Sequence, residues 1–460
     1  MNNEPHSNKK ESTNLSSPFR GAGGSMTERL LHFIWQFQYF NKNELITAEG
    51  ELVQVIIPGQ YNNHQGPDFS NAKILIGNTT WAGTIELHIK TSDWKKHKHQ
   101  EDRNYDNVIL HVVWEDDGSR NSVPANERNG VPLSSPVSVP VLELKSRVAK
   151  VLLQRYEELM QSPAFIPCEK SIHCFRDITW KSWKERLLVE RLLRKATIAE
   201  NFLQQNNHHW EETFWWMLAR NFGMKVNAEA FEAIARSIPL TVLSKHKNQI
   251  HQLEALLLGQ GGLLKENFNE DYPRLLQKEY NFLQSKYNIQ PIQLPLFSLR
   301  MRPGNFPTIR LAELAMLVHE SAHLFSKIKE AASAKEIKHF FEVTANDYWH
   351  YHYRFDETSA FKKKNIGVAM IDNIIINTVA PVLFAYGNYH NENKYKDRAL
   401  QCLEETAAEK NLITKGFRQL NIENKNAWDS QALIELKNEY CTKKRCLECS
   451  VGNAILKQTN

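Results

Sequence analysis

The apolar positions change period along the chain. From Thr27 the run TERLLHFIWQFQYF places Leu30, Leu31, Ile34 and Phe37 at helical spacing, with Ser25 or Thr27 as the N-cap. Alternation follows in ELVQVIIP (51–58), FSNAKILI (69–76) and WAGTIELHIK (81–90), separated by Gly- and Asn-containing breaks. The last two predict a hairpin across Gly77-Asn78. A helical segment from about Ser92 to Asp106 then leads into VILHVVW (108–114), an apolar run suited to a strand buried on both faces. The predicted order is helix, three strands, helix, strand.

Beyond a Gly-, Ser- and Pro-rich connection at 115–140, the period becomes helical. Runs at 179–206, 210–222, 228–237, 249–258, 271–287, 309–328, 334–341 and 366–384 predict a large all-helical region, and no fixed period points to a solenoid. The fold class is α/β plus all-α. A boundary falls between Leu142 and Ser162, giving an α/β domain over 26–145 and a helical region over 146–460. Residues 1–25 are Asn-, Ser-, Gly- and Lys-rich with almost no aliphatic content, which predicts a disordered tail.

Composition narrows the class. A chain of 460 residues exceeds one hydrophobic core. No run approaches the roughly 18 consecutive apolar residues of a membrane-spanning helix, and the N-terminus lacks a signal-peptide layout, so a cytosolic protein with no membrane partner is expected. A net charge of +5 permits contact with nucleic acid without demonstrating it. The six cysteines do not resemble a secreted disulfide framework. Cys441, Cys446 and Cys449 have metal-ligand spacing, with Cys402 the nearest sulfur to complete four, so zinc or an iron–sulfur cluster stands against plain reduced thiols. Cys168 and Cys174 form a weaker pair, expected as buried or loop thiols.

The chemistry concentrates between Gly66 and Trp114. Asp68 precedes one strand, and Glu86 and His88 lie two apart in the next, hence on one face. Pro67-Asp68 and Glu86-Leu87-His88, on this order of elements, resemble the PD-(D/E)XK nuclease superfamily. The resemblance implies a restriction-endonuclease-like α/β core in which Asp68 and Glu86 bind magnesium or manganese, with His88 where that superfamily has a lysine that activates water. A histidine there can move a proton, or can ligate metal and shift the preference toward manganese or zinc. The following segment offers His99, Asp102 and Asp106 on one helical face with His97 nearby, while His97 and His99 themselves diverge on a helix. Lys90, His97, His99, Arg300, Arg302 and Arg310 are the candidate substrate contacts, the arginines as phosphate ligands or as partners in ordinary salt bridges.

Two other features compete. His319-Glu320-Ser321-Ala322-His323 spells HExxH, which on a helix places two zinc ligands and a base together, although an ordinary helix face is the stronger expectation. The aromatics Trp215-Trp216 and Tyr348–Tyr353 are candidates for base stacking or for the core. The stretches GPDFSNAKILIG, GTIELHIKTSDWKKHKH, VILHVVWEDD, WWMLARNFGMKVN, RMRPGNFPTIRLA and KRCLECSVG are similar to the bacterial domain of unknown function 2851. The leading expectation is a metal-dependent nuclease or phosphodiesterase acting on DNA or RNA. The alternatives are an inactive nucleic-acid-binding or scaffold protein of that fold, and a zinc-stabilised interaction protein.

Overall fold

The computed structural model describes residues 26–119, 122–123, 137–174, 177–321 and 323–458. The expected disordered tail lies outside the described residues, as does most of the connection at 115–140. The chain divides into two compact units, Met1–Phe175 with Lys443–Asn460, and Arg176–Thr442.

The first unit opens with α1 (Glu28–Gln36). Of the two candidate caps it is Thr27 whose side chain accepts from Leu30 N–H, at 3.2 Å. The helix stops before Phe40 because Gln38 takes a left-handed φ of 55°. The strands are β1 (Leu45–Ile46), β2 (Leu52–Ile57), β3 (Gln60–Tyr61), β4 (Phe69–Ile76), β5 (Thr79–Lys90) and β6 (Val108–Glu115). A two-residue ladder of β7 (Ser122–Val123) with β8 (Val137–Ser138) precedes β9 (Val141–Glu143). The main sheet runs β1-β2-β4-β5-β6-β9, with β3 added to β4. β5, β6 and β9 are mutually parallel and the remaining pairs antiparallel.

The hairpin turns at Gly77-Asn78 as expected, pairing Ile76 with Thr79, and Gly77 supplies φ 58°. At its other end the β4–β5 register slips between Phe69 and Ala72, where Asn71 sits at φ 56°. This bulge turns the start of β4 toward β5. Ile85 and Leu87 of β5 enter the core with Leu31, Ile34 and Trp35 of α1 and Phe69 and Ile74 of β4. Glu86 and His88 therefore face the other side.

Leu152 and Leu159 of α3 (Lys150–Gln161) join the same core, together with Cys446 and Leu456 from the C-terminal stretch. The first unit thus extends past the expected boundary near residue 145 and takes back the end of the chain. Short-range periodicity reports which residues are helical, and not which core a helix joins.

The second unit is mostly helical, with a small hairpin of His352–Arg354 and Glu357–Thr358 inside the expected all-helical region. The run expected at 309–328 is two helices, Pro307–Glu320 and Leu324–Glu330. Helices at Asn393–Glu404, Leu412–Gln419 and Ala427–Glu435 follow the last expected run. The stretch Val368–Tyr389 is long and apolar enough to cross a membrane, but 72% of its most apolar window is buried within the unit, which makes it a core helix. It carries a π-helical turn at Ile375–Val379.

Glu254 gives this unit a pH dependence. It is fully buried, accepts from Tyr272 OH at 2.9 Å and Trp349 Nε1 at 3.0 Å, and burial pushes its carboxyl up to about 7. A raised acid binds its proton more tightly in the folded state, so its contribution is present below the unfolded pKa and is lost as pH rises through about 7. Glu254→Gln is expected to remove this term, worth about 3 kcal/mol at full loss. Urea midpoints from pH 5 to pH 9 should fall for the wild type and stay flatter for the variant.

Candidate metal centre

Glu86 and His88 share one face of β5 by strand periodicity, and β6 sets His111 opposite Glu86 in parallel register. Sequence periodicity predicted a single helix over 92–106. The structure instead has α2 (Asp93–Lys96) followed by two 3-10 turns, His99–Glu101 and Arg103–Tyr105. Two local features break the helix. Lys98 adopts φ 59°, and the Asp102 side chain accepts from Asn104 N–H at 2.9 Å, holding a turn in place of a helical rung. The break corrects the expectation that His97 and His99 diverge, because the chain reverses between them and both return toward β5.

The result is a convergence on one atom. His88 Nε2 lies 3.1 Å from His97 Nδ1, 3.3 Å from His99 Nε2 and 3.5 Å from Glu86 Oε1. His99 Nε2 is itself 3.3 Å from Glu86 Oε1. The three imidazoles each offer a nitrogen within 4.8 Å of the others. The remaining nitrogen of His88, Nδ1, shares a hydrogen bond of 2.8 Å with His111 Nε2. A single ring nitrogen cannot satisfy three such neighbours by hydrogen bonding, since it carries at most one proton or one lone pair. The three imidazole nitrogens are placed to share one cation between them, with Glu86 Oε1 beside those of His88 and His99.

The surroundings of His88, His99 and His111 favour the neutral imidazole. Burial, then the neighbouring imidazoles, lowers His88 to about 2; burial first also lowers His99 to about 4 and His111 to about 3. Neutral imidazole is the form that ligates metal. Glu86 is pushed up to about 9 by burial and by the nearby Asp68 charge. Tyr105 stacks on His99 with ring centres 3.9 Å apart, and the fully buried Trp94 meets His99 and His111 edge-on or tilted. Trp94, Tyr105, Val108 and Val139 form a small apolar cluster of their own beneath these rings.

Asp68 takes a neighbouring position. Its backbone N–H donates to Glu86 Oε2 at 3.1 Å, and its Oδ2 accepts from Leu87 N–H at 2.9 Å and lies 3.1 Å from His32 Nε2 on α1. The bulge in β4 makes this reciprocal lock between Asp68 and β5. Lys90, two residues beyond His88 on the same face, is exposed, as are Lys95, Lys98 and Arg103.

A sequence profile of the family described as "Protein of unknown function (DUF2851)" matches residues 28–412. The chain belongs to that family. No curated protein and no solved structure matches it. The DUF2851 match spans Asp68, Glu86 and all the imidazoles of the centre, and ends before Cys441, Cys446 and Cys449.

The other predicted site residues are placed differently. Arg310 is buried and spent internally, donating to Glu313 at 2.7 Å and to Asn305 at 2.6 Å, so it is a structural ion pair and presents nothing to a phosphate. Arg300 and Arg302 are exposed on the second unit. HExxH does not form a zinc face: the helix ends at Glu320, Ser321 is extended, and His323 takes φ 53°. His319 Nδ1 bonds the Lys247 carbonyl at 2.6 Å instead. Trp215, Trp216 and Trp349 are buried, and Tyr348 stacks on His352, so these aromatics build the unit. Cys402 and Cys441 fall in the second unit, whereas Cys446 and Cys449 fall in the first. The side chain of Cys174 lies outside the described residues.

Sequence reasoning passed over His32, Trp94 and His111. His111 carried a readable signal, since an imidazole inside VILHVVW has to find a partner once buried.

Proposed function

We propose that the first unit is a metal-dependent phosphodiester hydrolase acting on nucleic acid, with His88, His97, His99 and Glu86 holding a divalent transition metal. The observation that carries this reading is the meeting of three imidazole nitrogens and one carboxylate oxygen at His88 Nε2. Such an imidazole-rich set favours manganese or zinc over the magnesium expected of a two-carboxylate site. The restriction-endonuclease-like core belongs to the same reading. What supports it is that α1, β2, β4 and β5 are followed by the short α2 and then by β6, which runs parallel to β5.

A metal bound there supplies Lewis acidity and an acidified water. The chain supplies the rest. Asp68 Oδ2, 3.1 Å from His32 Nε2, would orient this imidazole beside the metal. His111 fixes the tautomer of His88 by engaging Nδ1, leaving Nε2 for the metal. Lys90, Lys95, Lys98 and Arg103 set exposed positive charge on and beside the same strand, suited to a phosphate backbone.

The test is cleavage of single- and double-stranded DNA and RNA by the metal-loaded protein, before and after chelation. Metal-stimulated cleavage supports the reading. Salt-sensitive binding without any cleavage overturns it in favour of an inactive binding protein. His111→Ala is expected to weaken metal binding by about 10–100-fold, because it removes an outer-sphere partner and no ligand, with thermal melting of the metal-free variant reporting the packing lost at this buried position. Calorimetric titration with manganese or zinc measures this.

A further inference from the structure

A cavity of about 380 Å³ opens within the second unit. Small-molecule sites span roughly 300–1,000 Å³ and are mostly apolar with a few polar groups, and this cavity has that character. Its walls come from the two helices that meet at the break after Glu320, and from the helices Trp210–Phe222 and Leu240–Lys245. Phe214, Trp215, Leu218, Leu317 and Leu324 line it and are all buried, so its interior suits an apolar body.

The polar groups around this interior have an uneven balance of charge. Glu211 is the one carboxylate among the described lining residues, and both of its oxygens are engaged by the start of the helix Leu324–Glu330. It accepts from Phe325 N–H at 3.1 Å and from Ser326 N–H and Ser326 Oγ at 2.7 Å each. Lys247 is half-buried at the wall, and its backbone is held in place because its carbonyl accepts from His319 Nδ1 at 2.6 Å. No ion pair or hydrogen bond engages the Lys247 ammonium among the described residues. His209 caps the helix Trp210–Phe222 by accepting from Glu212 N–H on Nδ1, which leaves Nε2–H as a donor. The indole Nε1 of Trp215 is buried with no hydrogen-bond partner among the described residues, although Trp215 forms part of the wall. A buried donor without an acceptor is costly, and an oxygen on an occupant would relieve it.

We propose that this cavity binds an amphipathic monocarboxylate, its apolar body against Phe214, Leu218, Leu317 and Leu324 and its carboxylate on Lys247. An uncharged apolar ligand would leave the ammonium and the indole N–H without partners, and a cation would meet Lys247 with no free carboxylate to offset it. The site belongs to the second unit and does not depend on the imidazole centre or its chemistry. It also gives the failed HExxH a role, since the helix break in that motif sets Leu317 and Leu324 on the walls of one cavity.

Calorimetric titration of the full-length protein with decanoate and with naphthalene-2-carboxylate tests the proposal, each beside the alcohol of the same carbon skeleton. At least one carboxylate is expected to bind one to one, and about tenfold or more tighter than its alcohol, the worth of a charge-assisted hydrogen bond. Lys247→Met should bring that carboxylate down to the affinity of the alcohol and leave the alcohol unchanged. Ser244→Trp, at an exposed position on the wall, should block both. Thermal melting checks that both variants keep the fold, and Lys247→Gln replaces Lys247→Met should methionine disturb it. No saturable binding of either carboxylate, equal affinity for carboxylate and alcohol, carboxylate affinity unmoved at position 247, or binding that persists in Ser244→Trp would each overturn the proposal.

Discussion

His97→Ala is expected to abolish metal-stimulated cleavage and to weaken metal binding by more than the roughly 10–100-fold typical of an outer-sphere loss. His97 is the most exposed of the clustered side chains, on a short turn and outside the hydrophobic core, so its removal should leave the fold intact. His88→Ala and Glu86→Gln should abolish cleavage as well, but both positions are buried within β5, where alanine removes packing and glutamine changes a buried hydrogen-bonding group. His97→Ala thus separates chemistry from folding. The decisive comparison is calorimetric metal titration, alongside thermal melting of the metal-free protein. An unchanged affinity and undiminished cleavage in His97→Ala would remove the imidazole centre from the mechanism.

Trp94→Ala should carry the largest cost in stability, about 3–5 kcal/mol, from the cavity left by a fully buried indole. It should also weaken metal binding, because Trp94 braces the rings of His99 and His111. Trp94→Phe gives the contrast. The indole Nε1 is buried with no hydrogen-bond partner among the described residues, so phenylalanine also relieves a desolvated donor. Its net cost is expected to be well below that of alanine, because phenylalanine keeps most of the aromatic volume and leaves a smaller cavity, with metal affinity largely kept. Denaturant unfolding of the three proteins measures the stabilities. Equal losses for alanine and phenylalanine would show that packing does not dominate at this position.

The elements of the α/β unit were legible because they rest on local rules. Alternation in FSNAKILI and WAGTIELHIK, the Gly77-Asn78 turn and the unbroken apolar run of β6 each depend on neighbours a few residues away. The placement of Glu86 and His88 on one strand face follows from the same period of two. The long amphipathic runs of the second unit were readable for the same reason.

Whatever depended on a single backbone departure, or on residues far apart in sequence, was not legible. The left-handed Lys98 turns a would-be helix back on itself and brings His97 and His99 to His88; helical periodicity predicts the opposite. The break after Glu320 dismantles an HExxH that the five letters alone permit. The sequence by itself determined the strands, the turn and the face on which Glu86 and His88 stand. Only the tertiary structure decided that three imidazoles and one carboxylate come together beside β5. Ligand sets are assembled across sequence distances at which side-chain periodicity carries no information.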